Sequence, residues 1–116
     1  MKNPENKNEC ACRAATSIAD AVTGKYCVIR CDRAGVFAGT VEKVDGQTVL
    51  VRNVRKLWRW YGATETLQIA LEGVKRPNDC RFTVTVDSLV LTDAIEILPA
   101  TDAAKASIEG VKVWKI

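Results

Sequence analysis

Residues 55–62 read RKLWRWYG, placing Trp58, Trp60 and Tyr61 within four positions and flanking them with Arg55, Lys56 and Arg59. The whole chain has three tryptophans, two tyrosines and two phenylalanines, so this stretch concentrates its rings. A core uses rings without guanidinium groups, and a solvated surface uses guanidinium groups without rings. A flat, anionic partner uses both. Guanidinium forks pair bidentately with phosphates, and an aromatic ring stacks on a base at about 1–3 kcal/mol. On an extended strand, alternation puts Lys56, Trp58 and Trp60 on one face and Arg55, Leu57, Arg59 and Tyr61 on the other. Trp58 and Trp60 read either as stacking platforms or as core, and the arginines either as ligand contacts or as solvated edge-strand charge. One bulge before Gly62 would invert the two faces. Arg30 and Arg81, each beside apolar strand residues, are further candidates for phosphate contacts. Asn53, Thr64 and Asn78 are candidates for base or ribose contacts.

Catalysis is not expected. The chain has no histidine, the commonest general acid or base and a frequent metal ligand. No GxSxG, Walker A, HExxH or GxGxxG pattern occurs in a usable context. Carboxylates are scattered singly, apart from Asp93 and Glu96. The five cysteines (Cys10, Cys12, Cys27, Cys31 and Cys80) lack the CxxC pairs of a zinc site, and no histidine completes one. They are expected to remain thiols and pack as small hydrophobes, with no metal or cofactor. Cys27 and Cys31, four apart on a predicted strand, share a face.

Net charge is only +3, but residues 25–61 hold eight basic against three acidic side chains, whereas residues 87–116 hold three against five. That asymmetry places positive potential around RKLWRWYG and favours an anionic partner. A composition of 47% hydrophobic and 27% charged residues is that of an ordinary globular chain. No apolar run approaches the ~20 residues of a membrane helix. The N-terminus is polar where a signal peptide would be apolar, so a cytoplasmic protein is expected.

One domain spanning 1–116 is expected. Residues 1–8 read as disordered. Residues 9–24 read as a docking helix, because apolar residues recur at helical spacing (Ala11, Ala15, Ile18, Ala19, Val22) before Gly24. Residues 25–116 read as a sheet-based ligand-binding core. In it, 25–32, 36–44 and 47–54 form an antiparallel meander with a hairpin at Asp45-Gly46. TETLQIALEG and TDAAKASIEG are short capped helices, RFTVTVDSLVLT is an alternating strand, DAIEILP is the last strand, and VKVWKI closes the chain as an apolar tail. The fold class is thus α+β: an N-terminal helix, then an antiparallel β-sheet meander with one or two short helices, assembled as an oligomer.

The segments LWRWYGA, LEGVKRP–NDCRF and EGVKVWK, within a likeness covering most of residues 27–115, resemble a family of small phage proteins: the first type of Thoeris anti-defence protein. The resemblance implies a non-enzymatic sponge that holds glycocyclic ADP-ribose signals intact and away from the immune effector in the host cytoplasm. It also implies a homo-oligomer built from dimers, a hexamer among the sizes it allows, with nucleotide pockets where protomers meet. Some members hold cyclic trinucleotides at separate axial sites, where Arg13 would be the second anion contact. The rival reading is an Sm-like or SH3-like β module binding single-stranded RNA or DNA, since VIR…GVFAGTVEKVDGQTVLVRN has the rhythm of the first three strands of such barrels.

Overall fold

The computed structural model describes residues 17–63 and 65–114. Strands β1 (Tyr26–Cys31), β2 (Val36–Asp45) and β3 (Thr48–Arg59) form the antiparallel meander, with Asp45 paired to Thr48 across the Asp-Gly turn. Helix α1 (Thr66–Glu72) follows, then strands β4 (Arg81–Phe82), β5 (Val86–Leu91) and β6 (Ala94–Pro99), and helix α2 (Asp102–Glu109). The sheet runs β4-β3-β2-β1-β6, and β5 also pairs with β3. Because β3 is twelve residues long, one edge serves two partners: β5 along Val49–Val54 and β4 at Leu57 and Arg59.

Strands β5 and β6 are consecutive in sequence yet lie at opposite ends of this path, so the sheet rolls toward itself. Asp93, between them, holds the roll together. Its carboxylate accepts the N–H groups of Arg33 (2.7 Å) and Ala34 (3.3 Å), and its carbonyl accepts that of Asp32 (2.9 Å).

The meander is buried on both faces. Cys27, Ile29, Phe37, Val41, Val49, Val51 and Leu91 fill the concave core. Tyr26, Val28, Ala38, Leu57 and Phe82 face the other way, onto Ile69 and Ala70 of α1 and Ile108 of α2. Burying each large side chain here stabilises the fold by roughly 1.5–3 kcal/mol. Both helices are short and capped. The Glu65 carboxylate accepts the Leu67 N–H, and the Thr101 hydroxyl accepts the Ala104 N–H.

The expected α+β class with an N-terminal helix is overturned. The fold is β-rich: among the described residues the first strand starts at Tyr26, and the two small α-helices come later. Residues 9–16 of the expected helix lie outside the described residues. The rest, Ser17–Gly24, makes a single 3-10 turn at Ala19–Ala21. Ser17 and Asp20 bond reciprocally, and the Thr23 hydroxyl turns back to the Ala19 carbonyl (2.7 Å). The Gly24 N–H then goes to Val41 on β2 (2.7 Å), which commits the chain to the sheet.

RFTVTVDSLVLT is also not one strand. Between β4 and β5, Thr83 is claimed by β3: it exchanges N–H and hydroxyl contacts with the Lys56 backbone (3.0 and 2.8 Å). Alternation is lost there, leaving Val84 and Val86 exposed while Phe82 is fully buried. Cys27, Cys31 and Cys80 are buried free thiols, with burial pushing Cys27 up to about 11. Cys10 and Cys12 lie outside the described residues. No helix among the described residues is long and apolar enough to cross a membrane.

Candidate functional site

Two bulges on β3 decide where the RKLWRWYG side chains go. Asn53 adopts φ +49 at the first, opposite Gly39, whose backbone lies so close that a Cβ would meet Val54 at 2.9 Å. The second falls between Leu57 and Arg59, where two residues of β3 span one step of β4. It breaks the simple alternation at Trp58. Trp60 then packs against the same helix-side core as Leu57, while Trp58 stays half exposed.

Beyond this bulge, β3, β4, the 74–80 loop and the C-terminal segment enclose a cleft of about 510 Å³. Its lining is Arg59, Tyr61, Arg76, Asn78, Asp79, Cys80, Arg81 and Trp114. Arg59 and Arg81 are direct cross-strand partners. Like charges in that relation repel, and no carboxylate among the described residues pairs with either one.

Aromatic faces hold them instead. Trp58 and Trp114 stack with centroids 5.0 Å apart and planes 10° apart. Arg59 lies over Trp58 (5.4 Å), and Arg81 lies over both Trp58 (5.9 Å) and Trp114 (5.4 Å). Trp114 reaches this position because its N–H bonds the Phe82 carbonyl (2.9 Å) beside a parallel bridge between Phe82 and Val113.

The loop supplies the rest of this lining. A 3-10 turn at Pro77–Asp79 brings Asp79 back onto Arg76, whose guanidinium also lies over the Tyr61 ring at 5.4 Å. Cys80 stitches the loop to β3: the Tyr61 N–H donates to its sulfur (3.3 Å), and its thiol reaches the Arg76 carbonyl (3.4 Å). Burial raises the Cys80 pKa, so this thiol of the cleft stays protonated. Gly62 makes the close approach tolerable. It has φ +86, and a Cβ there would stand 2.5 Å from the Lys75 nitrogen.

Of the residues singled out from sequence, Arg59, Tyr61, Asn78 and Arg81 meet in this cleft, and Trp58 backs it through the stack. The others fall elsewhere. Arg55 is only 4% exposed and points into the helix-side core. It donates to the carbonyls of Thr83 (3.0 Å), Ile108 (3.0 Å) and Val111 (2.7 Å), and so caps the C-terminal end of α2, where a cation is stabilised by the helix dipole. Burial lowers its pKa. Arg30 pairs with Glu96 across β1 and β6 (3.5 Å), away from the cleft. Arg13 and Thr64 lie outside the described residues.

Sequence reading missed Arg76, Asp79, Cys80 and Trp114 as site residues. The Arg-Pro-Asn-Asp turn, which sets a cation and a carboxylate three apart, was the available sign for two of them.

Residues 24–108 match the model of a domain of unknown function, DUF6948. The chain belongs to the DUF6948 family. Of the described cleft residues, the family's matched span contains all but Trp114. No curated protein matches the chain at a significant level. Among solved structures, a heptameric archaeal Sm protein is similar at 11% identity with a TM-score of 0.44, over 70% of this DUF6948 chain and 93% of that one.

Proposed function

We propose that this protein is a non-enzymatic sponge that captures small cyclic nucleotides of the cyclic ADP-ribose class and thereby blocks Thoeris-type immunity on behalf of a phage. The observation that carries this reading is the cross-strand pair Arg59 and Arg81. Two guanidinium groups are held side by side on indole faces, with no carboxylate among the described residues to neutralise them. Such a pair is electrostatically costly unless an anion completes it. Tyr61 and Trp114 add rings to the lining of the same cleft, on which a base can stack.

Holding without transforming fits the same residues. The chain has no histidine, and the cleft thiol is kept protonated by burial. A homo-oligomer built from dimers is part of the proposal. A cleft this open on one domain gains enclosure when a second protomer covers it, and a small ligand needs that enclosure for tight binding. The working place is the host cytoplasm.

The test is capture and release. The pure protein is incubated with glycocyclic ADP-ribose, separated, and heated, and the released material is examined by mass spectrometry. Intact nucleotide supports a sponge. A hydrolysed product means an enzyme, and no depletion overturns both.

A second reading, a binder of single-stranded RNA or DNA, draws on the half-exposed Trp58. Salt separates the two. Affinity for a polynucleotide falls by orders of magnitude between 50 and 200 mM salt when many phosphates are neutralised, while a cleft contacting two phosphates loses far less.

A further inference from the structure

The geometry points to Asp79 as the residue that makes the cleft select sugar phosphates over free polyphosphate, an inference that rests on the nucleotide-binding reading of this cleft. Among the described residues, Asp79 is the one carboxylate in a lining that includes Arg59, Arg76 and Arg81. In a trap for bare phosphate it is a liability, because it repels the ligand and neutralises one of three cations.

Its bonding is lopsided. The Nε and Nη2 atoms of Arg76 approach the same carboxylate oxygen, Oδ2, at 2.9 and 2.8 Å. The other oxygen, Oδ1, has no hydrogen bond to any described residue, and the side chain is 49% exposed at the cleft wall. An ionised carboxylate oxygen only accepts, so it recruits a hydroxyl or amino donor. A fully ionised phosphate offers no such donor; a ribose does. Carboxylates serve ribose hydroxyls in this way in dinucleotide sites of unrelated folds.

The neighbouring groups complete the arrangement. Arg76 is held in place from both sides, by Asp79 and by the Tyr61 ring, and so presents its remaining N–H groups to a phosphate. Asn78, next along the lining, carries both donor and acceptor atoms. The ligand class is therefore a nucleotide that brings a sugar hydroxyl within reach of a diphosphate. Asp79 acts by rejecting anions that lack the hydroxyl as much as by attracting those that have it.

Asp79→Asn tests this, because its amide oxygen still accepts from Arg76 while the negative charge is gone. Wild type and variant, their folding checked by circular dichroism, are titrated calorimetrically with glycocyclic ADP-ribose, then with inorganic pyrophosphate as competitor. The variant is expected to bind the nucleotide about tenfold more weakly, the scale of one charge-assisted hydrogen bond. It is also expected to be inhibited several-fold better by pyrophosphate, the opposite direction. If Asp79 merely orients Arg76, both ligands weaken together, and the selectivity assignment is overturned. Unchanged nucleotide affinity, or no gain for pyrophosphate, overturns it as well. Failure of the wild type to bind glycocyclic ADP-ribose at all removes the nucleotide reading and this inference with it; parallel shifts in a binding-competent pair remove the inference alone.

Discussion

Trp58 and Trp114, 56 positions apart in sequence, stack with centroids 5.0 Å apart and an interplanar angle of 10°. Trp58 is 48% exposed and Trp114 37%, so the pair is not there to fill the core. Its evident service is to present two indole faces to Arg59 and Arg81. Trp114→Ala should leave the protein folded and weaken capture of glycocyclic ADP-ribose about tenfold, within the range of one lost stacking partner. Trp60→Ala should instead lower stability by about 2–3 kcal/mol, since that ring packs on the helix-side core. Chemical denaturation and calorimetry on both variants would show the contrast, and an unfolded Trp114→Ala would sink it.

Arg81→Ala removes one member of the repelling cross-strand pair. Stability should change by no more than about 0.5 kcal/mol, or rise, because the lost cation had no carboxylate partner among the described residues. Ligand affinity should fall at least tenfold, and the remaining binding should depend less on salt. Isothermal titration at two salt concentrations reads both quantities. An equal loss of stability and binding would mean that Arg81 is structural.

Arg55 sits four residues before Arg59 but does different work. Arg55→Met leaves the carbonyls of Thr83 and Val111 without their donor, while that of Ile108 keeps the Val111 N–H (3.3 Å). Each buried, unpaired acceptor costs about 1–3 kcal/mol, so a total loss near 3 kcal/mol is expected once the new apolar contacts are allowed for. The urea midpoint should drop, while ligand affinity of the folded fraction stays within twofold of wild type. A large affinity change at full folding would place Arg55 in the site after all.

Gly62→Ala combines a positive φ with a Cβ that would strike the Lys75 backbone. The 75–79 segment must move, and it carries Arg76. A stability loss of about 1–3 kcal/mol is expected. Binding of the folded variant should weaken as well, whereas Gly46→Ala, with open space around it, should leave binding alone.

Asp93 predicts the acid limb of the stability curve. The Arg33 N–H first, then those of Ala34 and the Cys31 thiol, hold its carboxyl below the ordinary value of 3.8. A depressed folded value means that the stabilisation is present above about pH 4 and is lost as pH falls through the folded value. Asp93→Asn should therefore be less stable than wild type at pH 7, and the gap should narrow by pH 3. A gap that is constant with pH would mean that the charge contributes nothing.

The meander and the capped helices were legible because their causes are local. Asp45-Gly46 demands a tight hairpin, β-branched runs on either side favour strands, and Thr101 and Gly73 bracket helices through their own backbone preferences. The N-terminal helix was misread for the complementary reason. Helical spacing of alanines is a weak local signal, and over Ser17–Gly24 it yields only a single 3-10 turn, after which the Gly24 N–H donates to Val41 on β2, a contact that no local pattern records.

The cleft shows the same division. From RKLWRWYG alone came the association of rings with guanidinium groups, and hence the expectation of a flat anion. Which of those side chains share a wall was decided by a bulge at Trp58: Arg55, before it, faces the helix-side core with Leu57, while after it Trp60 packs on that same core and Arg59 and Tyr61 line the cleft. Their partners Arg76, Asp79, Arg81 and Trp114 arrive from a loop, a two-residue strand and the C-terminal segment. Strand propensity and charge belong to the residues themselves, so the sequence determined that this protein would carry a basic, aromatic strand. A site is a set of distances between remote residues. Those distances depend on strand pairing, close glycine contacts and the register of one bulge, all of which exist only in the folded sheet.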